Sequence, residues 1–278
     1  MKATGCLGSS FILGIMSYFD THAHLDQEEF DADREAVIAR ARQAGVETLV
    51  CVGVAAASSR AAVLLAEKHP EIRAAVGIQP NSCAQIADDE WEQIVALVDH
   101  PAVVALGETG LDRFWDYAPF ALQQEYFARH LQLAQQRDLP VIIHCRDAQA
   151  DVLAMLREAV ARGPLRGVLH AFSGDAAMAN ECLQLGLYIS FAGMVTYTNK
   201  KFAPLRAVAA AVPSDRILIE TDSPYLVPEP LRGKQRRSEP AQIVHTAGCL
   251  AELRGASTDE LAAQTTANAQ RLFGLWPV

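Results

Sequence analysis

No CxxC pair occurs among the six cysteines, so the spacing of a thiolate zinc site or a dithiol redox motif is missing. The sequence has no run of about 20 apolar residues, and so offers no candidate membrane span. A basic excess is also absent. Lys and Arg number 24 against 33 Asp and Glu, a formal net charge of −9. That balance excludes a broad cationic surface for coating long nucleic acid, but not a local pocket that grips a few phosphates. Internal repeats, low-complexity runs and Pro/Gly-rich linkers are lacking. The cysteines are scattered, which fits free thiols in a reducing cytosol. A cytoplasmic location, no membrane and no obligate protein partner are therefore expected.

What is present suits one large globular unit. The 278 residues are 50% hydrophobic and 21% charged, enough for a substantial core and too mixed in sign for a disordered chain. Lys2 and the apolar stretch up to Met16 lack the small-residue cleavage site of a signal peptide. Residues 1–15 are expected to be an appendage, with Met16 as a native start, and residues 16–278 a single domain.

Short apolar runs alternate with longer amphipathic stretches. Strands are expected at 17–19, 46–54, 72–78, 103–106, 141–144, 167–172, 187–191 and 216–220. Helical periodicity fills the gaps, as in residues 119–137, where Leu122, Tyr126, His130 and Ala134 recur every four residues. Strands interleaved with helices imply parallel pairing through crossovers. Eight such units point to an α/β fold, a (β/α)₈ TIM barrel of the metal-dependent hydrolase type. Two tail helices are expected at 240–254 and 258–273. Ser257 and Glu260 form a capping box at the start of the second.

The ends of the expected strands carry ligand-type residues. Asp20, His22 and His24 alternate at the end of strand 1 and would share one face. Glu108 follows strand 4, His144 ends strand 5, His170 ends strand 6, and Glu220 and Asp222 follow strand 8. A barrel gathers such ends into one ring. The other histidines differ. His69 and His100 precede proline at helix ends, His130 lies on an apolar helical stripe, and His245 lies opposite one. None of these four is given a functional role. The lysines are Lys2, Lys68, Lys200, Lys201 and Lys234, and none follows a central strand where a carboxylated lysine would bridge two metals. Glu108 has two oxygens and can take that bridging place. The loop after strand 8 carries Arg232, Lys234, Arg236 and Arg237, a local cationic cluster suited to an anionic substrate.

The chain resembles the TatD-type metal-dependent deoxyribonucleases. The matching stretches are FDTHAHLD (19–26), GETGLD (107–112), LPVIIHCRDA (139–148), HAFSG (170–174), ISFAGMVT (189–196), ETDSPYL (220–226), RGK (232–234), EP (239–240) and NxxRLFG (268–274). The resemblance implies a two-metal site. His22, His24, Glu108 and Asp222 would hold one cation, and Glu108, His144 and His170 the second. It implies phosphodiester hydrolysis, with removal of nucleotides from DNA in the 3′ to 5′ direction. Glu108 and Asp222 would be catalytic, and Asp222 would also accept a proton or orient the water. Arg232 and Lys234 would bind substrate, and Asp20 and Glu220 would orient the ligating imidazoles. The family's usual cation is Mg²⁺, while imidazole-rich sites also suit Zn²⁺ or Mn²⁺. Gln79 and Asn81 replace histidines common in the family; they make poor metal ligands but remain able to hydrogen-bond a phosphate. The alternative function is hydrolysis of a small lactone, cyclic amide or phosphoester on the same barrel.

Overall fold

The computed structural model of the chain describes residues 17–275. The expectation about residues 1–15 and Met16 lies outside the described residues. Eight parallel strands form one sheet in the order of the chain: β1 (Tyr18–Ala23), β2 (Val46–Val52), β3 (Ile72–Val76), β4 (Val103–Asp112), β5 (Val141–Arg146), β6 (Gly167–Leu169), β7 (Tyr188–Phe191) and β8 (Ile217–Ile219). The sheet curls until its edges meet. Ala23 bridges Ser223, the His24 amide donates to the Ser223 carbonyl at 2.7 Å, and the Asp222 amide donates to the His22 carbonyl at 2.9 Å. Closure therefore runs through the two segments that carry the outermost ligand candidates. The expected barrel is the observed fold.

Helices α1 (Arg34–Gln43), α2 (Ala56–Lys68), α3 (Glu90–Val98), α4 (Phe120–Arg137), α5 (Gln149–Arg162), α6 (Ala176–Gln184) and α7 (Ala203–Ala211) follow successive strands. The tail adds α8 (Ile243–Arg254) and α9 (Thr258–Phe273). The Ser257–Glu260 capping box is formed, which satisfies amides that the first turn of α9 leaves free. Buried Asn268 of α9 donates to the carbonyls of Ser214 and Ile217 at 2.8 and 2.9 Å, fastening the base of β8.

Strand 4 is the main departure from expectation. It continues past Leu106 to Asp112, and all ten of its residues are buried. The apolar run ends at Leu106 because Glu108 and Asp112 are polar, yet the backbone stays paired to β5 through Asp112↔Arg146. Gly110 makes this possible. Its φ is +136°, and a Cβ there would meet the His144 carbonyl oxygen at 2.0 Å.

Candidate metal centre

His22 lies near the end of β1 and His24 just beyond it, at the C-terminal mouth of the barrel. His24 donates from Nδ1 to the Val52 carbonyl at 2.8 Å, so its Nε2 keeps a free lone pair. That Nε2 faces His22 Nε2 at 3.0 Å. Asp222 Oδ1 lies 3.6 Å from both nitrogens, and so does Glu108 Oε2. Two imidazole nitrogens and two carboxylate oxygens thus converge on one small space.

The other oxygen of Glu108 faces a second set. Its Oε1 lies 2.8 Å from His144 Nδ1 and 3.2 Å from His170 Nε2. The two imidazole nitrogens are 3.3 Å apart. The His22 and His170 rings stack between the two sets at 4.1 Å. Strands β1, β4, β5 and β6 and the segment after β8 therefore bring their tips to one ring. All six expected ligand residues lie in it.

Burial opposes charge on each of these groups. It alone would raise the Glu108 carboxyl, but the field of His170 and hydrogen bonds with His144, His170 and His22 hold it well below the usual range. Burial and the neighbouring His170 push His22 down. Burial opposes protonation of His24 as well, yet contact with Asp222 and the field of Glu108 raise it to about 9. The same contest, won by Glu108, raises His170 well above the ordinary value.

The donor set fits divalent cations on its own chemistry. Four imidazoles and two carboxylates are packed with lone pairs facing one another, and His22 Nδ1 and His170 Nδ1 are buried without a hydrogen-bond partner. Lone pairs held 3.0 Å apart repel unless a proton or a cation lies between them.

Of the two supporting carboxylates, Glu220 lies against an imidazole as expected and Asp20 does not. Asp20 accepts from the Thr221 amide at 2.9 Å, the Thr221 hydroxyl at 2.6 Å and the His22 amide at 3.3 Å. It holds the backbone of β1 against the segment after β8 rather than an imidazole. Burial pushes Asp20 up to about 7, against those hydrogen bonds. Glu220 accepts from the Ala171 amide at 2.6 Å and from the Ser190 hydroxyl at 2.5 Å. Its Oε1 also lies 3.4 Å from His170 Nδ1, an ion-pair distance without a hydrogen bond.

Asp112 does what was expected of Asp20. Its Oδ2 accepts from His144 Nε2 at 3.0 Å and from Asn81 Nδ2 at 3.0 Å. Burial would raise this carboxyl, but His144 and Asn81 overcome that and draw it down to about 2. The available signal was the even spacing of Glu108 and Asp112, which puts both on one face of a strand. A strand ended at Leu106 hides it. Asn81 accordingly spends one of its two amide hydrogens on Asp112.

In the loop after β8, Arg232 lies over the Tyr197 ring at 4.0 Å, and Lys234 is exposed. Arg237 departs from expectation. It pairs with Asp33 at 2.6 Å and Glu239 at 3.2 Å and covers the Phe30 ring at 4.7 Å, so it braces the loop instead of offering charge. His130 is a core residue, as its helical stripe implies. Its Nδ1 donates to the Tyr126 carbonyl at 2.7 Å and its Nε2 accepts from the Ile78 amide at 3.1 Å.

A closed ring of eight parallel strands with imidazoles and carboxylates converging at its C-terminal mouth defines a metal-dependent hydrolase barrel. The chain belongs to the TatD related DNase family, whose sequence model matches residues 19–274. It is 42% identical over 255 residues to the uncharacterized metal-dependent hydrolase YabD of Bacillus subtilis (strain 168), covering 92% of this chain and 98% of that protein. It is 38% identical over 259 residues to the 3′-5′ ssDNA/RNA exonuclease TatD of Citrobacter rodentium (strain ICC168), covering 92% and 98%. Among solved structures, the TatD homologue YJJV of Escherichia coli K12 superposes with a TM-score of 0.87 at 33% identity, covering 94% of this chain and all of that one. The chain is an enzyme of the metal-dependent hydrolase and nuclease class that acts on ester bonds.

Proposed function

We propose that this enzyme removes nucleotides from the 3′ end of single-stranded DNA, using two divalent cations, with Mg²⁺ as the working ion. One observation carries the two-cation reading: the oxygens of Glu108 are divided between the His22–His24–Asp222 set and the His144–His170 set. On this reading, His22, His24, Glu108 and Asp222 hold one ion, and Glu108, His144 and His170 the other. A bound cation pair supplies Lewis acidity, neutralising phosphate charge and easing loss of a proton from water.

The rest falls to the chain. Asp222 reaches solvent more than Glu108 does, with side-chain exposures of 11% and 3%, and so takes the proton from the attacking water. Asp112 holds His144 in one tautomer and one orientation. Arg232, kept by Tyr197, and Lys234 grip the substrate phosphates from the loop after β8.

The test is incubation of purified protein with a 3′-labelled single-stranded oligonucleotide, with Mg²⁺, Mn²⁺ or Zn²⁺ and with chelator. Mononucleotide release that needs added cation, and is greatest with Mg²⁺, is the expected result. No DNA turnover alongside hydrolysis of a lactone would overturn the proposal.

A further inference from the structure

Large exposed apolar side chains are few among the described residues: Leu64, Phe114, Trp115, Tyr117 and Tyr225. Three of the five lie in the segment between β4 and α4, at the C-terminal end of the strand that carries Glu108. Phe114 is 51% exposed, Trp115 42% and Tyr117 54%. Rings this open cost hydration free energy and add nothing to the core.

Their arrangement is ordered. The Trp115 and Tyr117 rings stack at 5.3 Å with 16° between planes, and Phe114 meets Trp115 edge-on at 4.7 Å. The Arg146 guanidinium lies over Phe114 at 3.7 Å and 5.6 Å from Trp115. Arg146 forms no ion pair with a carboxylate among the described residues, so its charge stays available at the ledge. The ledge is also tied to the metal centre by one side chain. Asp112 Oδ1 accepts the amides of Phe114 and Trp115 at 2.8 and 3.1 Å, while its Oδ2 accepts from His144.

We infer that Phe114, Trp115 and Tyr117, with Arg146, form a stacking ledge for unpaired nucleobases of the strand being cleaved. The inference rests on the proposed nuclease function and names how that site takes its substrate. Aromatic faces accept any base, and the guanidinium meets the adjoining phosphate, so the ledge grips a strand without reading its sequence. A duplex keeps its base faces stacked within itself and cannot use it, so the ledge favours single strands.

The test compares the metal-loaded wild type with Trp115→Ala and Trp115→Phe, once melting curves show all three folded. Binding of a nuclease-resistant phosphorothioate oligonucleotide is read by fluorescence anisotropy. Trp115→Ala should weaken binding about tenfold, the loss of one stacked base, and Trp115→Phe should recover most of it. An abasic strand of equal length should bind wild type and Trp115→Ala within about twofold of each other, since no base is left to stack. Unaltered binding in Trp115→Ala, or equal weakening for the abasic strand, would overturn the ledge. Base-dependent binding by a wild type that cleaves no DNA would support the ledge and count against the nuclease.

Discussion

His144 donates from Nε2 to Asp112 Oδ2 at 3.0 Å, and this bond turns its Nδ1 toward Glu108 Oε1, 2.8 Å away. The imidazole is held between two carboxylates, one fixing its tautomer and the other sharing its lone-pair side.

Removing that support should loosen the centre without removing a ligand. Asp112→Ala should lower turnover and cation affinity about 10- to 100-fold, and Asp112→Asn, which still accepts from His144, should lose less. Cation titrations of activity check this. A shifted midpoint in Asp112→Ala with partial recovery in Asp112→Asn is the expected pattern, and equal loss in both variants would argue against tautomer control.

The Glu108 carboxylate faces both imidazole sets, one oxygen to each. Glu108→Ala should reduce metal-dependent turnover by at least about 100-fold, since on the proposed two-cation site both ions would lose a ligand together. The barrel should still fold, as the Glu108 side chain belongs to the polar cluster at the mouth and not to the apolar core. Metal analysis beside circular dichroism measures both. A folded, fully active variant would sink the bridging role.

His130 should give acid sensitivity away from the centre. Burial pushes it down to about 4, from an ordinary value near 6.5. Above about pH 6.5 both folded and unfolded chains carry it neutral. As pH falls toward 4, the unfolded chain takes a proton that the folded one refuses, so stability drops by about 3 kcal/mol in all. His130→Gln removes this term. Urea unfolding should show wild type and variant drawing together by about 2 kcal/mol between pH 7 and pH 5. A gap that does not change with pH would mean His130 is not held neutral.

Much of the fold was legible because its signals are local. Residue type and period define each strand and helix, as in α4, where His130 and Ala134 of the expected stripe are buried beside Phe127 and Leu131, with Leu122 and Tyr126 half-buried at the edge. Strand 4 shows the limit. Its apolar pattern stops at Leu106, while its backbone runs on to Asp112, because the mouth of a barrel buries polar side chains that hydropathy reads as loop. The misread strand end concealed Asp112, and the support sought for an imidazole was assigned to Asp20 instead. Arg237 failed for a related reason. A run of cations looks uniform along the chain, and only the packing of α1 beneath the loop shows that Asp33 neutralises one of them.

By itself the sequence determined the alternation of strands and helices and the kinds of atoms at each strand tip. Both are properties of residues within a few positions of one another, where period and side-chain chemistry act directly. Only the tertiary structure decided how the two oxygens of Glu108 are shared, that Asp112 steers His144, and that the barrel closes through Ala23 and Ser223. Those relations hold between segments as far as 200 residues apart. They depend on sheet register and close backbone approach, as at Gly110, which no local pattern encodes.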